Sequence, residues 1–133
     1  MITCSSGAFA GKSPPGRVHN VEIQQIGIAS WYGRSHAGHR TFNEERFNPQ
    51  AMTCAHKTLP MNSIIKITNV ITNTSVVCRV NDRGPFIRGR IVDCAERVAK
   101  LLGVGNKGIM RVRIDVLRIG LMKNTFMEAL VVD

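Results

Sequence analysis

Asn81-Asp82-Arg83-Gly84-Pro85-Phe86 brings a carboxylate and a guanidinium to the end of an apolar run, Ser75-Val76-Val77-Cys78-Arg79-Val80. Gly84 and Pro85 cannot continue a strand or a helix, so the chain turns there and Asp82 is delivered to the rim of a buried strand. Two further segments hold ionisable groups. Thr41-Phe42-Asn43-Glu44-Glu45-Arg46-Phe47 carries adjacent acids, and Thr53-Cys54-Ala55-His56-Lys57-Thr58-Leu59-Pro60 carries a histidine. Carboxylates and imidazoles are the side chains that move protons near neutral pH. Polar loops at the ends of rigid elements are where such groups tend to be positioned. Taken singly, each segment also reads as ordinary surface: a turn with an Asp–Arg pair, a solvated loop acid, and a satisfied polar residue at a strand edge.

The elements that must carry these groups follow from pattern. Residues 1–25, with Gly7, Gly11, Pro14, Pro15 and Gly16, read as a tail or tether. Residues 26–32 read as a first strand, and the polar stretch 33–50 as a long loop of the kind that is usually functional or disordered. Residues 63–70 and 74–80 are β-branched strands joined by a hairpin turn near Asn73-Thr74, and 91–93 is a short strand. Residues 95–102 form the one credible helix, with Asp93 and Glu96 as a capping box and Gly103 as its stop. Residues 108–117 alternate, Ile109, Met110, Val112, Ile114 and Val116 inward, Arg111, Arg113 and Asp115 outward, which predicts an amphipathic strand. The chain therefore reads as mainly β, one domain over 26–117 with a C-terminal extension over 118–133, and as a small barrel with one short helix.

The 133 residues include 18 Lys or Arg against 9 Asp or Glu, a net charge of +9, and residues 27–117 hold 14 of the basic and 6 of the acidic ones. Such a domain attracts polyanions: nucleic acid, anionic lipid or an acidic wall polymer. No recognition helix, zinc finger or aromatic ribonucleoprotein motif is present, so nucleic acid is not an expected partner. No apolar run approaches the ~20 residues that span a bilayer, and no signal peptide is visible. A cytosolic protein and one whose export signal lies outside this sequence both fit. Met1-Ile2-Thr3-Cys4-Ser5-Ser6, ahead of the Ser/Gly/Pro-rich tether, resembles the start of a mature bacterial lipoprotein, with Cys4 as the lipidated residue. Cys54, Cys78 and Cys94 make no C-x-x-C pair; Cys78 and Cys94 read as small buried hydrophobes, and no disulfide can be assigned. His36, His39, Cys54 and His56 supply zinc-ligand types, but their spacing matches no standard site.

Read in order, Gly27-Ile28-Ala29-Ser30-Trp31-Tyr32-Gly33, the Thr41 to Phe47 segment, Ala55-His56-Lys57-Thr58-Leu59-Pro60, Val80-Asn81-Asp82-Arg83-Gly84-Pro85-Phe86 and Gly89-Arg90-Ile91-Val92-Asp93 resemble the rare lipoprotein A family of bacterial lytic transglycosylases. The resemblance implies a six-stranded double-psi β-barrel and cleavage of peptidoglycan glycan strands between N-acetylmuramic acid and N-acetylglucosamine, leaving 1,6-anhydromuramic ends. It implies a monomer in the bacterial cell envelope, periplasmic or anchored to the outer membrane through Cys4, and no metal or cofactor.

Carried over residue by residue, the resemblance implies Asp82 as the main acid/base. Glu45 becomes the second carboxylate, assisting proton transfer or stabilising positive charge, and His56 orients or tunes one of the two. The roles of Glu45 and Asp82 are interchangeable at this stage. Arg83 beside Asp82 would lower its pKa if the two paired, so either Arg83 turns away or Glu45 is the donor. Trp31 and Tyr32 are expected to stack on sugar rings, and Arg83, Arg88 and Arg90 to hold lactyl carboxylates. Asn43 and Asn81 would hydrogen-bond sugar hydroxyls or make turns. The chain departs from the family pattern at Glu44, where a small residue is usual, and at Cys54 and Cys94, where Ala and Leu are. Residues 118–133 are too few for the C-terminal peptidoglycan-binding domain many members carry. A non-catalytic, expansin-like wall-loosening module is the alternative reading.

Overall fold

Alternation of apolar and polar residues dictates the strands. In Ser75–Asp82 the side chains of Val76, Cys78 and Val80 are buried while Ser75 and Val77 face solvent, the period of two expected of a sheet with one wet face. The computed structural model describes residues 17–18, 21–32, 37–105 and 107–121. Six strands close a barrel: β1 (Gln24–Trp31), β2 (Thr53–Ala55), β3 (Ile64–Asn69), β4 (Ser75–Asp82), β5 (Arg90–Cys94) and β6 (Ile109–Arg118). Their order around the barrel is β1-β5-β2-β4-β3-β6, with β6 pairing back onto β1. The β1–β5 and β2–β4 pairs are parallel and the other four antiparallel. Closure leaves the barrel itself without a free strand edge.

Ile65, Ile67, Val80, Val92, Val112 and Ile114 are fully buried inside, each contributing about 1.5–3 kcal/mol relative to exposure. Helix α1 (Glu96–Leu102) adds Val98, Ala99 and Leu102 to the same core. Cys54, Cys78 and Cys94 are free thiols buried in it, with Cys54 Sγ 3.2 Å from Cys78 Sγ. Burial pushes the Cys54 and Cys94 thiols up, so they act as small hydrophobes and not as nucleophiles.

The expected mainly β, six-stranded barrel with a short helix is what the chain forms, with corrections in detail. β1 starts at Gln24, two residues early, and a two-residue ribbon pairs Arg17–Val18 with Val21–Glu22 within the segment read as tail. β2 was not anticipated: three residues are too short to show a period, and all three are buried because β4 and β5 flank them. In β6 the inward set is Met110, Val112, Ile114 and Val116; Ile109 lies on the outward phase with Arg111 and is 41% exposed. The capping box does not form. Asp93 belongs to β5, where its carboxylate accepts from Ser30 Oγ at 3.0 Å, and the N-cap is Ala95 with no side-chain cap. Glu96 instead pairs with Lys100 one turn on. Gly103 closes the helix as expected, in the left-handed region at φ 85°.

Candidate functional site

A change of register positions the site. In the parallel β2–β4 pair Cys54 faces Val80 but Ala55 faces Asp82, so Asn81 is an extra residue on β4. Consecutive burial of Val80 and Asn81 marks the interruption. Such irregularities re-aim side chains and recur beside active sites. Here the result is that Asn81 and Asp82 serve different partners at one strand end.

The long polar loop is folded, not loose, over residues 38–47. Gly38 N–H donates to Phe47 C=O, Phe47 N–H to His39 C=O, and Thr41 N–H to Glu45 C=O, with a bridge between Arg40 and Arg46. Asn43 N–H donates to Asn81 C=O at 3.1 Å, which ties the hairpin tip to the end of β4. The tip is tight: Glu44 has φ 65°, a conformation that favours Gly. Glu44 is exposed. Glu44→Gly is expected to raise stability by roughly 0.5–1 kcal/mol, left-handed strain relieved less the added freedom of the unfolded chain; the shift in urea midpoint at constant slope measures it.

Glu45 is held on four sides. Arg79 Nη1 donates to Oε2 at 2.6 Å and Nη2 to Oε1 at 2.9 Å, a two-pronged ion pair. Asn43 Nδ2 donates to Oε2 at 3.0 Å and Asn81 Nδ2 to Oε1 at 3.1 Å. Asn62 Oδ1 accepts from both Arg79 Nη1, at 2.9 Å, and Asn43 Nδ2, at 3.1 Å. The Arg79 hydrogen bonds, ahead of an opposing burial effect, hold the Glu45 carboxyl below its usual range. Arg79 and Asn62 were missed in the sequence. Arg79 lies two residues before Asn81, and Asn62 sits in a turn at φ 71°.

Asp82 is held differently. Its Oδ1 accepts the backbone N–H of Phe42 at 2.8 Å and of Arg83 at 2.9 Å. Among the described residues it makes no ion pair. Arg83 turns away: its Nη1 donates to the carbonyls of His56 at 3.1 Å and Leu59 at 2.6 Å, and its guanidinium lies 5.2 Å from the centre of the Phe42 ring. The Asp82 carboxylate, after burial, helps push the Tyr32 hydroxyl up.

His56 does not reach either carboxylate. It is 3% exposed; Nδ1 accepts from the N–H groups of Thr58 and Leu59, both at 3.1 Å, and Nε2 stands 2.8 Å from Gln25 Oε1. Since Nδ1 accepts, the ring proton is on Nε2 and is donated to Gln25. Burial, then the charges of Arg83 and Lys57, lower the imidazole to about 4. The link to Asp82 is through the backbone, His56 N–H to Asp82 C=O at 3.0 Å, and not through the ring as the sequence reading expected.

A cavity of about 470 Å³ opens beside the hairpin, lined by Phe42, Asn43, Glu45, Pro60, Met61, Asn62, Arg83 and Leu121. Phe42 and Arg83 are the residues whose amides bind Asp82. The remaining expected contacts do not line it. Tyr32 stacks on Phe47 with ring centres 4.6 Å apart. Trp31 borders a separate cavity of about 300 Å³ with Glu96, Ala99, Lys100, Val104 and Gly105. Arg88 is exposed in the turn before β5, and Arg90 starts that strand. Cys4 and His36 lie outside the described residues, and no cluster of metal-ligand types occurs among the described ones.

A family model described as "Lytic transglycolase" matches residues 24–114. A Campylobacter jejuni protein named endolytic peptidoglycan transglycosylase RlpA is 48% identical over 94 residues, 71% of this chain and 34% of its own length. A Nostoc protein named probable endolytic peptidoglycan transglycosylase RlpA is 50% identical over 100 residues, 74% of this chain and 27% of its own. The chain thus spans about a third or less of the length of these two relatives. Among solved structures, a mutant Clavibacter michiganensis expansin in complex with cellohexaose aligns at TM-score 0.59 and 15% identity, covering 77% of this chain and 54% of that one. The Streptomyces papain inhibitor aligns at TM-score 0.57 and 13% identity, covering 71% and 94%. At these identities the two structures speak to the fold alone.

Proposed function

The chain belongs to the lytic transglycolase family, and on that footing we propose that it cleaves peptidoglycan glycan strands between N-acetylmuramic acid and N-acetylglucosamine without water. The observation that carries this reading is the contrast between two carboxylates at the end of β4: Glu45 locked in a two-pronged ion pair, Asp82 held, among the described residues, by two backbone amides. Glycoside cleavage asks for such an unlike pair, one group to move a proton and one to face developing positive charge. Asp82 protonates the bridging oxygen as the C1–O bond breaks, then takes the proton of the muramic 6-hydroxyl as that oxygen attacks C1. The acid is thereby regenerated and a 1,6-anhydro ring closes; the attacker is intramolecular, so its effective concentration is high. Glu45, anionic throughout, stabilises the oxocarbenium-like centre. Arg83 lines the cavity with Nη1 engaged by carbonyls, and its other N–H groups suit the lactyl carboxylate of muramic acid.

On the same proposal the protein is a monomer in the bacterial cell envelope, its barrel running from Gln24 to Arg118; a periplasmic position with lipid on Cys4 is the finer form of it. Mass spectrometry of purified glycan strands after digestion tests it. The expected products carry 1,6-anhydromuramic ends. Binding of the strands with no such product would favour the expansin-like, non-catalytic alternative and overturn the enzyme reading.

A further inference from the structure

We infer that Arg79 is a positioning residue that fixes Glu45 as a permanent, aimed anion and thereby leaves proton transfer to Asp82; the inference rests on the lytic reading above. Arg79 sits on β4, a barrel strand paired on both sides, whereas Glu45 sits on the loop hairpin. The backbone bond from Asn43 to Asn81 holds the hairpin tip on β4, and side chains of this strand then dictate where the loop carboxylate points. Arg79 and Asn81 both reach it, the guanidinium donating to both oxygens and Asn81 to Oε1. Asn62 orients the clamp from the other side, accepting from Arg79 and from Asn43, so that two of the three residues that donate to the carboxylate are cross-linked. The guanidinium is about one-third exposed, close enough to the cavity for its loss to be felt there and not so deep that its removal must unfold the barrel.

The planar fork matters. A guanidinium matches both carboxylate oxygens at once, and an ammonium matches one. Arg79→Lys should therefore keep the charge and lose the aim, while Arg79→Gln loses both. In Arg79→Gln the Glu45 carboxyl returns upward toward its ordinary range, since the first-named cause of its lowering is gone. An anion required for the reaction is then partly protonated in mild acid.

The test compares wild type, Arg79→Lys and Arg79→Gln for anhydro-product formation from pH 5 to pH 8, with circular dichroism to show that each is folded. Arg79→Gln is expected to lose about 10- to 100-fold in kcat throughout this range, nearly all of it from lost aim and only slightly more at pH 5, with little change in KM, and Arg79→Lys to recover part of it. Full activity in a folded Arg79→Gln, or a loss carried by KM alone, overturns the inference. Carbon-13 NMR titration of the Glu45 carboxyl reads the clamp without any turnover: wild type should titrate below the usual range and Arg79→Gln higher. An ordinary wild-type titration overturns the clamp itself. An inactive wild type with a depressed Glu45 would instead sink the lytic reading, and with it the catalytic role given to Arg79.

Discussion

Asp82→Asn is expected to abolish release of anhydro-terminated products, by roughly 10³-fold or more, while the protein folds and binds glycan as before. The side chain's structural task is to accept two backbone N–H groups, from Phe42 and Arg83, on one oxygen. An asparagine Oδ1 does the same, so the hairpin tip and the following turn keep their anchor. What disappears is the ability to give and retake a proton, worth about 10²–10⁴-fold in a positioned acid or base, and here a single group is asked to do both. Quantifying products by mass spectrometry, with a binding assay and a thermal melt on the same preparation, separates the two tasks. Full activity in the folded variant would move the proton to another group. Glu45 would be a poor replacement, since its carboxylate already accepts four hydrogen bonds, two of them from a guanidinium.

How much of this was legible depended on whether a residue's task is local. Asp82 could be placed at a strand end because Gly84 and Pro85 end the strand within three residues, and β4 indeed runs on to Asp82. Gly103 announced its own left-handed cap, and the branched alternation of β3, β4 and β6 announced the barrel. Arg79 could not be found this way. On a period-two strand it falls on the outward phase with Ser75 and Val77 and reads as a surface cation; it becomes a clamp only when residues 38–47, more than thirty positions earlier, fold over β4. The same holds for His56, whose ring partner Gln25 is 31 residues away on β1. β2 escaped because three residues carry no period. Motif order compensated for some of this, since it brought Glu45, His56 and Asp82 forward together, but it does not say which of them touch.

That distinction has a measurable consequence for His56. The ring is buried, neutral, and accepts two backbone amides on Nδ1. Protonation would put a hydrogen where those amides point, facing Thr58 and Leu59 and next to the charges of Arg83 and Lys57. Folding therefore lowers the imidazole from about 6.5 in the unfolded chain to about 4. The unfolded state binds the extra proton between those values, so stability is complete above pH 6.5, declines as pH falls, and stops declining through this group below pH 4. The whole step is roughly 3 kcal/mol. The carboxylates held low by partners, Glu45 and Asp115, act in the same direction but only from the ordinary carboxylate range downward, so the interval from pH 6.5 to 5 belongs to the histidine. Urea unfolding at half-unit steps should show wild type losing stability across it while His56→Gln, less stable at pH 7, stays nearly level. A wild type that is equally stable at pH 7 and pH 5 would refute the neutral, accepting ring. Because Leu59 C=O also receives Arg83 and the next residues, Pro60 to Asn62, line the cavity, acid should loosen the site wall along with the fold, and activity should fall with stability in that interval even though His56 itself handles no substrate proton.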